Sequence, residues 1–538
     1  MNETPKDTQA CGQQMAQVPR RPHSTLLGLC AVAAISAAAA AMIFRATGHG
    51  AGISPDATRY VEMARNFAGG YGFSTYSRFS PGELAPERHW PPFYPLLLSI
   101  AQWLGCDAVV AARWLGALLF AANVFLIGFA IYRYTSAAWL AAIGSLIAAT
   151  SSGLLLVHYF AWSEPPFILL TVLSLLTMSA YAAQPRLLPL VLSAVAAALM
   201  LITRQAGLAV LVTGAAVIFM GRARRCRRVG DAVLFFAISG LPLGLWMLRN
   251  ALTTGAPLDR PFGFHPISVQ IIRDGLMNIS GWFLPDRAPD WARWTVLSAA
   301  VAGLIGVAVL YAKRKPSPKP AGCARLLAVN LPLLALYVAV YAVMMIAVIS
   351  FVDPPIFLEP RILMPAFVPL LVLVLCAAYE ATTARPLLRL LLALACVMCV
   401  IENARYAPKW ISIRHHAGWG FESKAWAESP TIAYLRALPR STAIYSNMES
   451  APNFLLGRGT ACIPAISGSY PLADPRDFRE RVGKMRQNLL KPPGGVVVYF
   501  AHASGSYQRI PTPQELMEFV PLEAAAQFSD GTVFRPAR

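Results

Sequence analysis

The chain has 538 residues, 56% of them hydrophobic and only 14% charged, with a mean hydropathy of +0.51. Soluble domains carry about 25% charged residues, so an ordinary soluble protein is excluded and a polytopic α-helical membrane protein is expected. The formal net charge of +19 does not call for nucleic acid, because the densest Lys and Arg clusters fall in short loops between apolar spans, where they set topology and attract anionic lipid.

A helix needs about 20 mostly apolar residues to cross the hydrocarbon, since every backbone amide must be satisfied within the segment. About eleven spans meet that pattern, near Leu26–Phe44, Val109–Ile131, Ala138–Val157, Pro165–Ala183, Leu187–Ile202, Gln205–Met220, Ala232–Leu248, Trp294–Ala312, Leu326–Ser350, Ile362–Ala381 and Pro386–Ile401. Leu26–Ala41 has the look of a signal-peptide core. It reads as an uncleaved anchor, because its loss would leave the following loop untethered.

With a cytoplasmic amino terminus, the inside loops carry Arg133, Arg186, the cluster Arg222, Arg224, Arg225, Arg227 and Arg228, the run Lys313-Arg314-Lys315, and Arg385 and Arg389. That is the positive-inside pattern. It places residues 45–108, residues 250–293 and everything after Glu402 outside a bacterial inner (plasma) membrane. The membrane module is then residues 1–402, and residues 403–538 form an extracytoplasmic domain.

The first outer segment opens with Ser54-Pro55-Asp56-Ala57-Thr58-Arg59-Tyr60. Asp56 begins a helix running to about Phe67, with Arg59, Tyr60 and Met63 on its face and Glu62 pointing away. Ser-Pro-Asp is good helix-start chemistry, so Asp56 as a mere cap is one reading. A carboxylate held at the membrane edge for chemistry is the other. His89-Trp90-Pro91-Pro92-Phe93-Tyr94-Pro95 then starts a second, aromatic helix at home in the interface. Arg78, Arg88 and Arg260 read as solvated or lipid-facing.

Three further charges stand at outward span ends. Glu164 follows Trp162-Ser163, Arg204 sits in Thr203-Arg204-Gln205-Ala206-Gly207, and Arg361 lies in Glu359-Pro360-Arg361-Ile362-Leu363-Met364-Pro365. The carboxylate could serve only the helix dipole, and the arginines could only snorkel; alternatively all three line a site. Of nine cysteines, most fall in spans or on the reducing side. Cys106 and Cys462 alone face outward and could pair. No CxxC pair, HExxH or His cluster supports a structural zinc site, and no internal repeat stands out.

Past Ile401 the apolar spans stop. Helices at Thr431–Leu438 and Pro513–Phe519, strands at Ala443–Tyr445 and Gly495–Phe500, and a hairpin-like Ala526–Phe534 make a small soluble α/β domain. Lacking a glycine-rich phosphate loop or nucleophile elbow, it reads as a lid or acceptor-binding cap. Tyr445-Ser446-Asn447 and Tyr470-Pro471 are its candidate contacts.

Taken in order, the Asp56 loop with Tyr60-Val61-Glu62-Met63-Ala64-Arg65-Asn66-Phe67-Ala68-Gly69-Gly70-Tyr71-Gly72-Phe73-Ser74, Trp90-Pro91-Pro92-Phe93-Tyr94-Pro95, Trp162-Ser163-Glu164-Pro165-Pro166-Phe167, the Arg204 break and the Arg361 segment resemble the GT-C fold membrane glycosyltransferases. The bacterial branch related to protein O-mannosyltransferases and lipid A aminoarabinose transferases is the most similar. The resemblance implies an inverting transferase that moves a sugar from a polyprenyl-phosphate donor to an extracytoplasmic glycan, lipid or protein acceptor.

Under it, Asp56 is the base, and Arg361 and Arg204 stabilise the departing phosphate. Glu164 orients the acceptor or supplies a second acid. His89 either binds donor phosphate or is a structural hydrogen-bonder, and Arg59 and Tyr60 lie on the substrate side. Many relatives carry a second acidic residue beside the loop Asp, whereas Ala57 follows Asp56 here; a lone carboxylate is a poor Mg²⁺ or Mn²⁺ site, so metal-independent transfer without a cofactor is expected. The rival classes are a transporter or lipid flippase, whose mid-span charges and repeat symmetry are not evident, and a non-catalytic envelope-assembly protein.

Overall fold

The computed structural model describes residues 22–221, 224–282, 284, 288–312, 323–353, 356–383, 385–468, 475–501 and 508–537. The first part is helical. It runs through α1 (Pro22–Ala46), α2 (Pro55–Ala68), a hairpin of β1 (Ser74–Tyr76) and β2 (Leu84–Pro86), α3 (Phe93–Trp103), α4 (Ala108–Thr135), α5 (Ala138–Thr150), α6 (Ser152–Tyr159), α7 (Glu164–Ala183) and α8 (Leu187–Leu201). After a 3-10 turn at Gln205–Gly207 come α9 (Leu208–Met220), α10 (Arg225–Thr254), α11 (Val269–Ser280), α12 (Asp290–Ala312), α13 (Cys323–Phe351), α14 (Pro360–Thr382) and α15 (Pro386–Ala417).

The protein is a multi-pass membrane protein. Among the described residues, seven helices are long and apolar enough to cross a membrane, or eight if α5 and α6, bent by 57° at Ser151, make one broken span. The expected count of about eleven is not reached on length and composition, since Leu187–Leu201 and Gln205–Met220 are shorter apolar helices. The bend has a local cause. Ser151 leaves helical geometry and its side chain caps α6 by accepting from the Leu154 N–H, as Ser commonly does at a helix start.

Small residues let the spans approach closely, the usual substitute for a hydrophobic driving force inside lipid. Gly128 on α4 faces Ser145 of α5 and Val32 of α1 so tightly that a Cβ there would collide with both. Helix α15 continues beyond Ile401 to Ala417, so position 402 falls inside it, and its last turns bury Trp410 and Ile411 in the same core as the spans.

The carboxyl-terminal part comprises α16 (Lys424–Ala427), α17 (Pro430–Ala437), β3 (Ile444–Ser446), α18 (Ser450–Leu456), β4 (Ala461–Cys462), β5 (Ser467–Gly468), α19 (Pro475–Leu490), β6 (Val496–Phe500), β7 (Gln508–Arg509), α20 (Pro513–Met517), β8 (Leu522–Gln527) and β9 (Gly531–Pro536). Five strands form one sheet in the order β4-β3-β6-β9-β8, with β3 parallel to β4 and β6, and β9 antiparallel to β6 and β8. Strand alternation gives it two buried faces. Tyr445 and Val497 pack with Phe478, Val482 and Leu489 of α19, while Ile444, Val496 and Val498 pack with Ile432 and Leu435 of α17. Tyr470 and Pro471 lie outside the described residues.

Two glycines fix the loop after α1, Gly52 against the α6–α7 junction and Gly420 from the carboxyl-terminal part. Gly52 exchanges backbone bonds with Tyr159 (2.9 Å) and Ala161 (3.0 Å), and a Cβ would meet the Tyr159 ring at 2.6 Å. Gly420 has φ of +74°, where L side chains are strained, and faces the Ile53 carbonyl, which accepts from the Phe421 N–H at 2.8 Å. Asp56 is thereby pinned beside the α6–α7 junction.

Candidate functional site

Ser54, not Asp56, is the N-cap of α2. Its Oγ accepts from the Ala57 N–H at 3.2 Å and from Trp162 Nε1 at 2.7 Å, with Pro55 at the first helical position. Capping therefore does not explain Asp56, which stands in the first turn with its carboxylate about one-quarter exposed.

Opposite it, α14 begins at Pro360, with Glu359 as an N-cap residue whose side chain makes no capping bond. That leaves the Glu359 carboxylate to accept from Arg361 Nε at 2.9 Å, while Arg361 Nη1 donates to Asp56 Oδ2 at 2.5 Å. The Arg361 guanidinium lies over the Trp162 ring, 4.9 Å from its centroid, in cation–π range. One cation is shared between two carboxylates and an aromatic face.

Next to this pair, the break between α8 and α9 turns Arg204 inward. Its Nη1 lies 2.7 Å from Glu164 Oε1 and 3.1 Å from Ser163 Oγ, which in turn bonds the Tyr60 hydroxyl at 2.9 Å. Glu164 is 1% exposed, so its partner is what makes its burial tolerable. Tyr60 packs edge-on against Trp90 and Tyr94, and burial pushes its phenol well above the usual range. The Arg361 and Arg204 charges act on one another, and Glu164 acts on both.

A second cluster flanks Asp56. Asp259 Oδ1 accepts from Arg88 Nε at 2.7 Å, and Asp259 Oδ2 accepts from His89 Nδ1 at the same distance. His89 Nε2 faces Arg260 Nη2 at 3.3 Å, so the network assigns the proton of neutral His89 to Nδ1. Burial raises the Asp259 carboxyl, but His89 and Arg88 outweigh it and hold it at about 2. Arg88 and Arg260 are thus not simply solvated. Arg260 is partly buried, its Nη1 makes no hydrogen bond, and the Asp56 charge reaches it. The sequence missed Asp259; only its place beside Arg260 hinted at it.

Arg59 makes its contacts elsewhere. It is 2% exposed and donates to the Tyr76 carbonyl at 2.8 Å and to Glu62 Oε2 at 3.3 Å, with Glu449 of the carboxyl-terminal part 3.5 Å away. Glu449 also pairs with Arg78 at 3.7 Å. Cys106 and Cys462 are both free thiols rather than a disulfide. Among the described residues no three His, Cys, Asp or Glu side chains gather as a metal site. Asp56 and Glu359 are both engaged by Arg361.

No protein-family model matches the chain, and no curated protein matches it either. Solved structures do. ArnT from Cupriavidus metallidurans bound to undecaprenyl phosphate superposes with a TM-score of 0.57 at 13% identity, covering 93% of this chain and 97% of that one. The Archaeoglobus fulgidus oligosaccharyltransferase in complex with Zn and sulfate gives 0.53 at 13% identity over 87% and 68% of the two chains. The mycobacterial arabinofuranosyltransferase AftD gives 0.53 at 18% identity, covering 94% of this chain and 41% of that one. The chain has the GT-C fold. In this GT-C chain the charges of α2, α7, α14 and the α8–α9 break meet at one end of the helical bundle, where the first loop and the carboxyl-terminal part also lie.

Proposed function

We propose that this protein is an inverting glycosyltransferase that moves a sugar from a polyprenyl-phosphate donor to an acceptor on the outer face of a bacterial inner membrane. The observation that carries the reading is the Asp56–Arg361 pair at 2.5 Å, a carboxylate and a guanidinium meeting at a membrane-edge site. ArnT, of the same fold, was solved with undecaprenyl phosphate. The Lys and Arg bias of the short loops supports an outward site and an outward carboxyl-terminal domain.

The displacement balances with these groups. Arg361 leaves Asp56 for the donor phosphate, which a planar guanidinium grips through two oxygens. Arg260, with its unbonded Nη1, adds positive charge beside it, while Arg88 and His89 are held close by Asp259. The freed Asp56 carboxylate takes the proton of the acceptor hydroxyl, the acceptor oxygen bonds the anomeric carbon, and the carbon–oxygen bond to phosphate breaks, releasing polyprenyl phosphate with inversion. Glu164, Arg204, Ser163 and Tyr60 form the fixed wall behind this exchange. The residues present supply base and cation without a divalent ion, so transfer in chelated membranes is expected at the wild-type rate.

Purified protein supplied with polyprenyl-phosphate hexoses, pentoses and amino sugars would be assayed for release of polyprenyl phosphate. Release dependent on both Asp56 and Arg361 supports the reading. No release from any donor, or equal turnover in Asp56→Asn and Arg361→Ala, overturns it.

A further inference from the structure

The outer hairpin and the carboxyl-terminal sheet enclose a cavity of about 460 Å³, within the range of small-molecule sites. Its lining includes Phe79 and Glu83 from the turn between β1 and β2, Tyr445 from β3, and Lys484, Gln487 and Asn488 from α19. Cys462, at the carboxyl end of β4, forms part of the wall. The mouth therefore sits near the carboxyl ends of the parallel strands β3 and β4, where α/β sheets hold their ligands.

The backbone there is already committed. Strand β4 is the sheet edge, yet the Cys462 N–H donates to the Arg78 carbonyl at 2.9 Å and the Gly82 N–H to the Gly459 carbonyl at 3.1 Å. The first loop occupies the edge that an incoming peptide would use for strand addition. Recognition falls to side chains. Phe79 presents a half-exposed ring (51%). The Tyr445 hydroxyl accepts from Asn488 Nδ2 at 3.0 Å, which leaves its own O–H to donate. Glu83 only accepts, Lys484 only donates, and the Gln487 amide does both. A lining of mixed donors and acceptors with one aromatic face matches a ligand dense in hydroxyl groups and bearing an apolar C–H face. Ile463, Pro464 and Ala465 complete the wall and Arg481 adds a second cation beside Lys484, so the lining is too polar for a lipid tail.

Side-chain contacts link the cavity wall to α2. The Cys462 thiol hydrogen-bonds the Glu449 carboxylate, and Glu449 lies 3.5 Å from Arg59, three residues along α2 from Asp56. We propose that this cavity binds the saccharide portion of the acceptor and presents it to α2 from the side of the carboxyl-terminal domain. The assignment rests on the transferase reading for the word acceptor, and on the cavity alone for the word saccharide.

The test uses full-length protein in nanodiscs and three probes: maltotetraose, chitotetraose and a galacturonic acid tetramer. Binding is followed by saturation-transfer NMR and calorimetry, together with an unstructured decapeptide as competitor. At least one saccharide is expected to bind, and Phe79→Ala and Gln487→Ala, both at exposed positions with melting points near wild type, are expected to weaken it about tenfold each. A protein that binds no probe, binds only the peptide, or binds saccharide equally well in both variants overturns the proposal. Release of polyprenyl phosphate without saccharide binding removes the cavity assignment alone; saccharide binding without release from any donor removes the transferase reading and leaves the saccharide site.

Discussion

Arg361 holds Asp56 at 2.5 Å while lying on the Trp162 ring, so at rest the carboxylate meant to act as a base is occupied by the cation meant to bind the donor. A phosphate entering beside Arg361 competes directly for that guanidinium. Under the proposed mechanism, donor binding and activation of Asp56 would become one event, limiting proton abstraction to the loaded site.

Asp56→Asn is expected to fold, because the Ser54 cap and Pro55 start of α2 remain in place. It is expected to lose about 10²–10⁴-fold in turnover, the usual share of a positioned base. Polyprenyl phosphate release with saturating donor measures it. An Asn variant within threefold of wild type would move the base elsewhere.

Arg361→Lys keeps the charge but not the planar fork that spans Asp56, Glu359 and the Trp162 face. We expect no rescue relative to Arg361→Ala. Both substitutions should lower kcat/KM for the donor by at least about 100-fold, the scale of a lost transition-state charge contact, read by titrating donor at fixed acceptor. Near-normal kcat/KM in the lysine variant would mean that point charge alone suffices.

The convergence of Glu164, Arg204 and Arg361 was legible because each stands at an apolar span end, where its cost demands a partner, and that of Asp56 and Tyr60 because they open the polar loop after the first span. Arg59 and Tyr60 adjoin on one helix, yet only Tyr60 reaches Ser163; helical spacing defines a face and not what covers it. The Asp259 contacts to Arg88 and His89 join residues 170 or more positions apart, and a single sequence carries no trace of such pairs. Hydropathy placed the apolar segments, but the 57° bend at Ser151 and the short helices around Arg204 depend on caps and packing that a composition window averages away.

Glu164→Gln leaves the Arg204 guanidinium without its carboxylate in a site where Glu164 is 1% exposed. Breaking one side of a fully buried pair costs about 3–5 kcal/mol; with Arg204 about one-fifth exposed, roughly 2–4 kcal/mol is expected here. The paired change Glu164→Gln with Arg204→Gln should recover more than half of the loss in a thermal melt in detergent. Strict additivity of the two single changes would show that the residues do not couple.

Glu62 ties stability to pH. Its carboxyl is buried between the hairpin and α18, facing Arg59 on its own helix, Glu449, which itself pairs with Arg78, and Glu87 after β2. Burial raises it from 4.5 to about 7, with Arg59 opposing. Between those values the native state binds more protons than the unfolded chain, so the contribution is fully present below about 4.5 and is lost as pH rises through about 7. The docking of α2 onto the carboxyl-terminal domain should therefore be firmer at pH 5 than at pH 8, on the order of 1–3 kcal/mol. Proteolysis of the hairpin at the two pH values reads this difference. Glu62→Gln, which stays neutral, should flatten it, and an unaltered difference in that variant would assign the pH response to other groups.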